Sequence, residues 1–340
     1  MRILIAYPGA IHSTYDVAAG YEKALRAIGH DVYGYPYHKW LGFYADTLKY
    51  WEEHNEQYTF TMDDVALQAA NHLVIAAVDF EPDVVLIVSG SALHRRAYDL
   101  LHKMCLPLVL LLTESPYQDE IQSKIVDQGH IAHAFTNEIY SVEPLSVNGA
   151  SVSYLPHSFD PDVHKPMDVN GEHASDVFFH GTLWVERARL IEELLGMDID
   201  LCVSGISMAD VQRGELVDND KLAQMYNGAK ICLNHHRTTK REAGDTIASN
   251  AAASIGPRAY EIAACGAFQL CDDTRPELRA IFGHAVPTYQ NAADLRARIE
   301  YFLDRPNERR ELADMARERV QDCSFMHRVI EFVEPIFRRI

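Results

Sequence analysis

Two successive doubly wound α/β units, joined near residue 157, are the architecture this 340-residue sequence predicts. Three observations predict it. The length exceeds one comfortable core and fits two domains. Wholly apolar, strand-sized runs such as "VVLIV" (84–88) and "LPLVLLL" (106–112) alternate with amphipathic helical stretches. Buried apolar strands between helices mark a parallel sheet covered on both faces. The alternation stops at 157–176, an aperiodic stretch with proline and glycine, and then restarts; that interruption is read as an interdomain linker.

In chain order, "RILIAY" is a strand, and an amphipathic helix follows over 14–28, closed by Gly29. "HDVYGYPY" is a second strand. Residues 38–60 are aromatic and carry no clear period. "TMDDVALQAANHLVIAAVDF" opens a long helix, with Thr61 in the capping position and Asp64 three residues on. "DVVLIVSG", a helix near 92–104, "LPLVLLLTES", a helix near 117–128, "IAHAFTN" and "VSYLPHS" complete the first unit. The second holds "VFFHG", a helix at 185–195, "IDLCVSG", a helix at 219–228, "KICLNHH", a loop, the helix of "IGPRAYEIAACG", "AFQLCDD" and "AVPTY", with charged helices from 291 onward. The expected domains are 1–156 and 157–324, and a C-terminal helix at 325–340 is expected to pack back on the first.

Acidic residues outnumber basic ones by 49 to 31, for a net charge of −18. That balance argues against broad adhesion to nucleic acid or an anionic membrane. No apolar run is long enough to span a bilayer, and the N-terminus reads as a strand without a signal-peptide layout, so a cytoplasmic protein is expected. The six cysteines show no CxxC spacing and are expected to be buried free thiols.

In doubly wound sheets, ligands bind just past the carboxyl ends of the strands. The first unit carries Gly9, His12 and Ser13 after strand one, His94 at the end of "SGSALH", Glu114 and Tyr117 in "TESPYQ", and His157 at the hinge. The second carries Gly181 and Arg187 in "HGTLWVER", then Gly205, His236 in "NHHR", and Asp272 with Asp273 in "CDD". Small and polar residues are ordinary turn and cap formers; their joint placement around one cleft is what points to a site. No GxGxxG, GxxxxGK[ST], GxSxG or HExxH appears. "DID" at 198–200 falls at a strand start, and the pair at 235–236 lacks further metal spacing, so no metal site is expected.

In "SIGPRAYEIAACG", Arg258 and Glu261 stand one helical turn apart on one face. They are either an exposed ion pair or part of a phosphate site at a helix start, where unpaired N–H groups gather. The stretch resembles the donor segment of GT-B glycosyltransferases, particularly the CgeB-like, spore-maturation branch of the group-1 transferases. Ser254, Gly256, Glu261, Ala264 and Gly266 fall in register with E-S-x-G-x-x-x-x-E-A-x-A-x-G, and Arg258 with Glu261 matches R-x-x-E. "HGTLWVERARLIEELL" and "LPHSFDPDVHKP" are similar to further segments of that branch.

The resemblance implies two Rossmann-like domains facing each other across a cleft, with the donor in the second and the acceptor in the first. It implies a nucleotide-sugar donor, probed best as a UDP-sugar, and no required metal or cofactor. Gly181, Arg187, Gly205, His236, Gly256, Arg258, Tyr260 and Glu261 would bind the donor, Glu261 at the ribose and the arginines at the diphosphate. Gly9, Ser13, Tyr117 and His157 would bind the acceptor, with His12, His94 and Glu114 catalytic. One departure is Ala253, where the family pattern has its first glutamate. The acceptor stays open among a glycan, a protein and a hydroxymethylated DNA base. A nucleotide-sugar epimerase and a non-enzymatic binding protein are the rival readings.

Overall fold

The computed structural model describes residues 1–9, 14–55, 59–127, 130–206, 217–242, 245–248 and 252–340. They form two units, Met1–Pro156 together with Arg328–Ile340, and His157–His327.

The first unit is built on a six-stranded parallel sheet: β1 (Arg2–Ala6), β2 (Asp31–Tyr35), β3 (Val84–Val88), β4 (Leu108–Leu112), β5 (His133–Thr136) and β6 (Val152–Tyr154). Its order is β2-β1-β3-β4-β5-β6. The central strands β3 and β4 are buried at every residue, as expected for a sheet covered by helices on both faces. The helices are α1 (Thr14–Ala27), α2 (Tyr37–His54), α3 (Met62–Phe80), α4 (Arg95–Lys103), α5 (Asp119–Val126) and α6 (Val142–Leu145). Gly29 at φ +96° stops the chain just past α1, a backbone setting that glycine reaches without a Cβ penalty. Thr61 and Asp64 form the reciprocal capping box of α3 that the sequence predicts.

The aromatic stretch without a clear period is largely helix α2. Its one fully buried residue is Tyr37, while Trp40, Leu41 and Tyr44 pack partly against the core. Bulky rings on several faces blur the apolar stripe by which such a helix is read. The last residues of the chain also belong to this unit, where His30 Nε2 meets Glu334 Oε2 at 2.8 Å.

The second unit has a five-stranded parallel sheet in the order β13-β12-β9-β7-β8. Its strands are β7 (Ser175–Thr182), β8 (Leu201–Ile206), β9 (Ala229–Asn234), β12 (Gln269–Asp272) and β13 (Thr288–Tyr289). The helices α7 (Val185–Leu194), α8 (Asn219–Gly228), α9 (Pro257–Ala264), α10 (Pro276–Phe282), α11 (Ala292–Leu303) and α12 (Pro306–Arg319) cover it. Within the stretch read as a loop between β9 and α9, an antiparallel pair forms instead: β10 (Thr239–Glu242) and β11 (Asp245–Ala248). Two four-residue strands alternate too briefly for a period-2 signal to stand out.

All six cysteines are free. Cys232, Cys265 and Cys271 are buried, but Cys105 is exposed and Cys202 and Cys323 are half-buried, which corrects the expectation of burial throughout. Asp198–Asp200 precedes β8 in a turn, and the Asp200 carbonyl accepts from Asp176 and Val177, a structural use of that motif.

Candidate functional site

In each sheet one strand is flanked by neighbours that run off in opposite sequence directions, and the crevice beyond that switch point is where doubly wound folds hold ligands. In the second unit the switch falls between β7 and β9. Gly181 lies at the carboxyl end of β7, and Asn234, His235 and His236 at that of β9.

Arg187, in the first turn of α7, spans this gap. Its Nε donates to the His235 carbonyl at 2.9 Å and its Nη1 to the Thr182 carbonyl at 3.1 Å. Arg258, in the first turn of α9, arrives from the other side. A Cβ on Gly181 would lie 3.2 Å from Arg258 Nη1 and 3.3 Å from Arg187 Nη1, so two guanidiniums converge on the one residue that has no side chain to exclude them. Gly181 also holds φ +150°, which other residues adopt rarely.

Helix α9 starts at its N-cap Gly256, with Pro257 in the first turn and, among the described residues, nothing within 4 Å of where a Gly256 Cβ would stand. Pro257 brings no N–H and the Ala259 N–H donates to the Gly256 carbonyl, so in the first turn the Arg258 backbone N–H and the helix dipole add to the positive end of the site. Among the described residues no ion pair joins Arg258 to Glu261, and Arg258 Nε is buried without a hydrogen-bond partner. Of the two readings left open by the sequence, the exposed ion pair is the one that the structure does not form. Glu261 is half-buried and acts electrostatically on Tyr226. Burial, and then the Glu261 charge, pushes the Tyr226 hydroxyl far above its ordinary value, with Arg258 pulling the other way.

His180 and Asp272 belong to the same surroundings. Burial, with the Arg258 and Arg187 charges beside it, pushes the His180 imidazole down to about 3, so the ring is neutral near pH 7. Its Nδ1 lies 3.2 Å from the Ser204 hydroxyl. Burial opposes the Asp272 charge, but the His236 and His235 rings and the Thr274 hydroxyl hold that carboxyl far below the ordinary range. Asp272 accepts from the His236 backbone N–H and from His236 Nδ1 at 3.0 Å. Ligand atoms of His236, Cys271 and Asp272 lie within 4.8 Å of one another, a donor set of the kind a divalent cation accepts. The His236–Asp272 hydrogen bond joins two of those three residues without one.

Arg275 and Glu277 fix the approach to α9. The Arg275 guanidinium donates to the Ala252 carbonyl at 2.8 Å and also to the Arg237 carbonyl. Glu277 Oε2 accepts from the Ile255 N–H at 2.7 Å. Arg237 in turn stacks 3.9 Å above the Trp184 ring, and Thr238 N–H donates to Glu186.

The remaining donor candidates sit differently. Gly205 pairs with Gly181 across the sheet, and a Cβ there would strike Leu183 at 2.4 Å, so it makes room for that side chain. Tyr260 is fully buried in the cluster with Phe159, Ile255 and Phe282. The structure thus brings Gly181, Arg187, His236, Gly256, Arg258 and Glu261 to one end of the sheet and places Tyr260 in the core. His180, Tyr226, Asp272 and Arg275 join them without an assigned role in the sequence. The signal for three of them was weak but present: His180 lies two residues before the end of β7, Asp272 ends β12, and Arg275 follows three residues later.

In the first unit the switch point lies between β1 and β3. A cavity of about 10 Å³ opens there, lined by residues that include Gly9, Tyr37, Gly90 and Ala92. A Cβ at Gly9 would overlap Ala92 at 2.4 Å. His94 caps α4: its Nδ1 accepts from the Arg96 N–H at 3.0 Å, and its Nε2 lies 3.6 Å from Asp63. Glu114 and Tyr117 form the turn into α5, where the Glu114 carbonyl accepts from the Tyr117 and Gln118 N–H groups. His157 opens the second unit. His12 and Ser13 lie outside the described residues.

Comparison with known proteins puts this geometry in context. Residues 180–334 match the glycosyl transferase-like family. Over 276 residues the chain is 22% identical to the spore protein CgeB of Bacillus subtilis (strain 168), covering 77% of this chain and 85% of that one. Among solved structures, sucrose-phosphate synthase from Thermosynechococcus elongatus is similar at a TM-score of 0.64 and 10% identity, over 100% of this chain and 98% of that one. HepE of Anabaena, solved in complex with UDP-glucose, is similar at 0.64 and 12% identity, over 99% of each. No described helix is long and apolar enough to cross a membrane. The chain has the GT-B fold, and the stretch that builds this site, residues 180–334, is the one that matches the glycosyl transferase-like family.

Proposed function

We propose that the protein transfers a hexosyl group from a UDP-sugar to an acceptor hydroxyl, with the diphosphate held by protein cations and no metal required. One observation carries this reading: the convergence of Arg187 and Arg258 on Gly181 beside the open start of α9. When the bond between the anomeric carbon and the diphosphate breaks, negative charge grows on the leaving oxygen. Fixed guanidiniums and the positive end of the helix stabilise that charge more than they stabilise the intact donor, which lowers the barrier. Glu261, a turn away on the same helix face, accepts from the ribose hydroxyls. The UDP-glucose bound by HepE, a similar structure, supports a UDP-sugar as the donor.

In the first unit, Gly9, His94, Glu114 and Tyr117 follow the carboxyl ends of β1, β3 and β4, three neighbouring strands. We assign the acceptor to that end, with Glu114 orienting or deprotonating its hydroxyl. His94 already spends Nδ1 on capping α4, which leaves Nε2 as its only contact for an acceptor.

The test is release of UDP from UDP-glucose in the presence of a chelator, with and without candidate acceptors, alongside calorimetric binding of UDP. Chelator-resistant turnover with UDP bound supports the reading. Absence of UDP binding, or turnover abolished by the chelator and restored by a divalent cation, overturns it.

A further inference from the structure

His236 is held on several sides, yet among the described residues one of its ring nitrogens has no hydrogen-bond partner. Asp272 takes its backbone N–H and its Nδ1. On either side of it in the chain, the carbonyls of His235 and Arg237 are bound by Arg187 and Arg275. All three holding groups are buried charges, and His236 itself is 6% exposed. Nε2 is nevertheless buried without a hydrogen-bond partner among the described residues, and so is Nδ2 of Asn234, two residues earlier. Buried polar atoms in folded proteins are nearly always paired, so an unpaired one on so fixed a ring calls for a group from outside the chain.

The chemistry of that group follows from Asp272. Its two oxygens already accept from backbone N–H groups, Oδ2 from His236 and Oδ1 from Thr274, so it meets the ring as an acceptor and His236 Nδ1 carries the proton of that hydrogen bond. A neutral ring then has its lone pair at Nε2. We propose that His236 Nε2 accepts a hydrogen bond from one hydroxyl of the donor's sugar, and that Asp272 is the residue that positions it. This rests on the donor reading of the site. Arg187 locates the ring relative to the diphosphate: its Nε holds His235 while its Nη1 stands with Arg258 at Gly181. A sugar bonded to the diphosphate thus comes within reach of the next residue along the chain.

The test compares UDP with UDP-glucose by calorimetry in the wild type and in His236→Asn. Asparagine places an amide near the Nδ1 position, so it keeps a donor for Asp272 and removes Nε2. The expected result is UDP affinity within twofold of wild type and a loss of about tenfold for UDP-glucose, the usual scale of one hydrogen bond. A second measurement identifies the hydroxyl. Among UDP-monodeoxyglucoses, one should bind the wild type about tenfold more weakly than UDP-glucose, and that deficit should vanish in His236→Asn. Three results overturn the proposal while leaving the donor reading intact: full UDP-glucose affinity in His236→Asn, a nitrogen-15 spectrum of the UDP-glucose complex with the proton on Nε2, or stoichiometric metal that Asp272→Asn loses. If the wild type binds neither UDP nor UDP-glucose, the donor reading falls and the proposal falls with it.

Discussion

Arg187 and Arg258 reach the same point, but the protein depends on them differently, and replacing each by methionine separates the two dependences. Arg187 is buried and donates to two backbone carbonyls across the β7–β9 gap. Hydrogen bonds from charged donors contribute roughly 1.5–3 kcal/mol each, so Arg187→Met should cost about 3 kcal/mol or more. For a unit of this size that is a drop of about 6–12 °C in melting temperature. Within the described residues Arg258 forms no ion pair and its Nε meets no hydrogen-bond partner, while its guanidinium acts on the Tyr226 hydroxyl. Arg258→Met keeps most of the apolar stem and should change stability by less than about 1 kcal/mol. Its loss appears in binding: one charge-assisted contact to phosphate, about 1.5–3 kcal/mol, weakens UDP roughly 10- to 150-fold. Calorimetry with UDP and a thermal melt of each variant give all four numbers. An Arg258→Met protein that melts as early as Arg187→Met, or that binds UDP as wild type does, would refute the assignment of Arg258 as a cation held for the ligand.

Three further outcomes are expected. Gly181→Ala puts a methyl group 3.2–3.3 Å from both guanidinium nitrogens at φ +150°, so it should lower turnover about tenfold or more, measured as UDP release; wild-type turnover would show that the cations need not approach there. Glu261→Ala should weaken UDP binding by roughly 1.5–3 kcal/mol with little change in melting temperature, and unchanged affinity would remove it from the ribose. His180 titrates near 6.5 when unfolded and at about 3 when folded, a depressed value, so its neutral ring contributes stability that is complete above pH 6.5 and drains away as pH falls towards 3. At pH 5 the loss is about 2 kcal/mol, and urea unfolding of His180→Asn between pH 7 and pH 5 should be less pH-sensitive than wild type by about that amount.

The sequence by itself determined the fold class, because runs such as "VVLIV" are long enough to be buried strands and too short for anything else, and because caps and stops such as Thr61 and Gly29 act within a few residues of themselves. It also placed Arg258 and Glu261 on one helix face, since a helical turn is a local property. It did not separate them from Tyr260, which lies about 200° around the helix from Arg258 and is taken by the core. Aromatic-rich α2 and the short β10–β11 pair escaped for the same reason: their patterns are set by what they pack or pair with. Only the tertiary structure decided which strand ends are neighbours. The order β13-β12-β9-β7-β8 brings Asp272 to His236 and carries Arg187 across to His235, contacts between residues 36 and 48 positions apart. Strand order is a long-range choice made by packing of whole elements, and no local period records it. That is why His180, Asp272 and Arg275 were visible as residues but not as parts of one site.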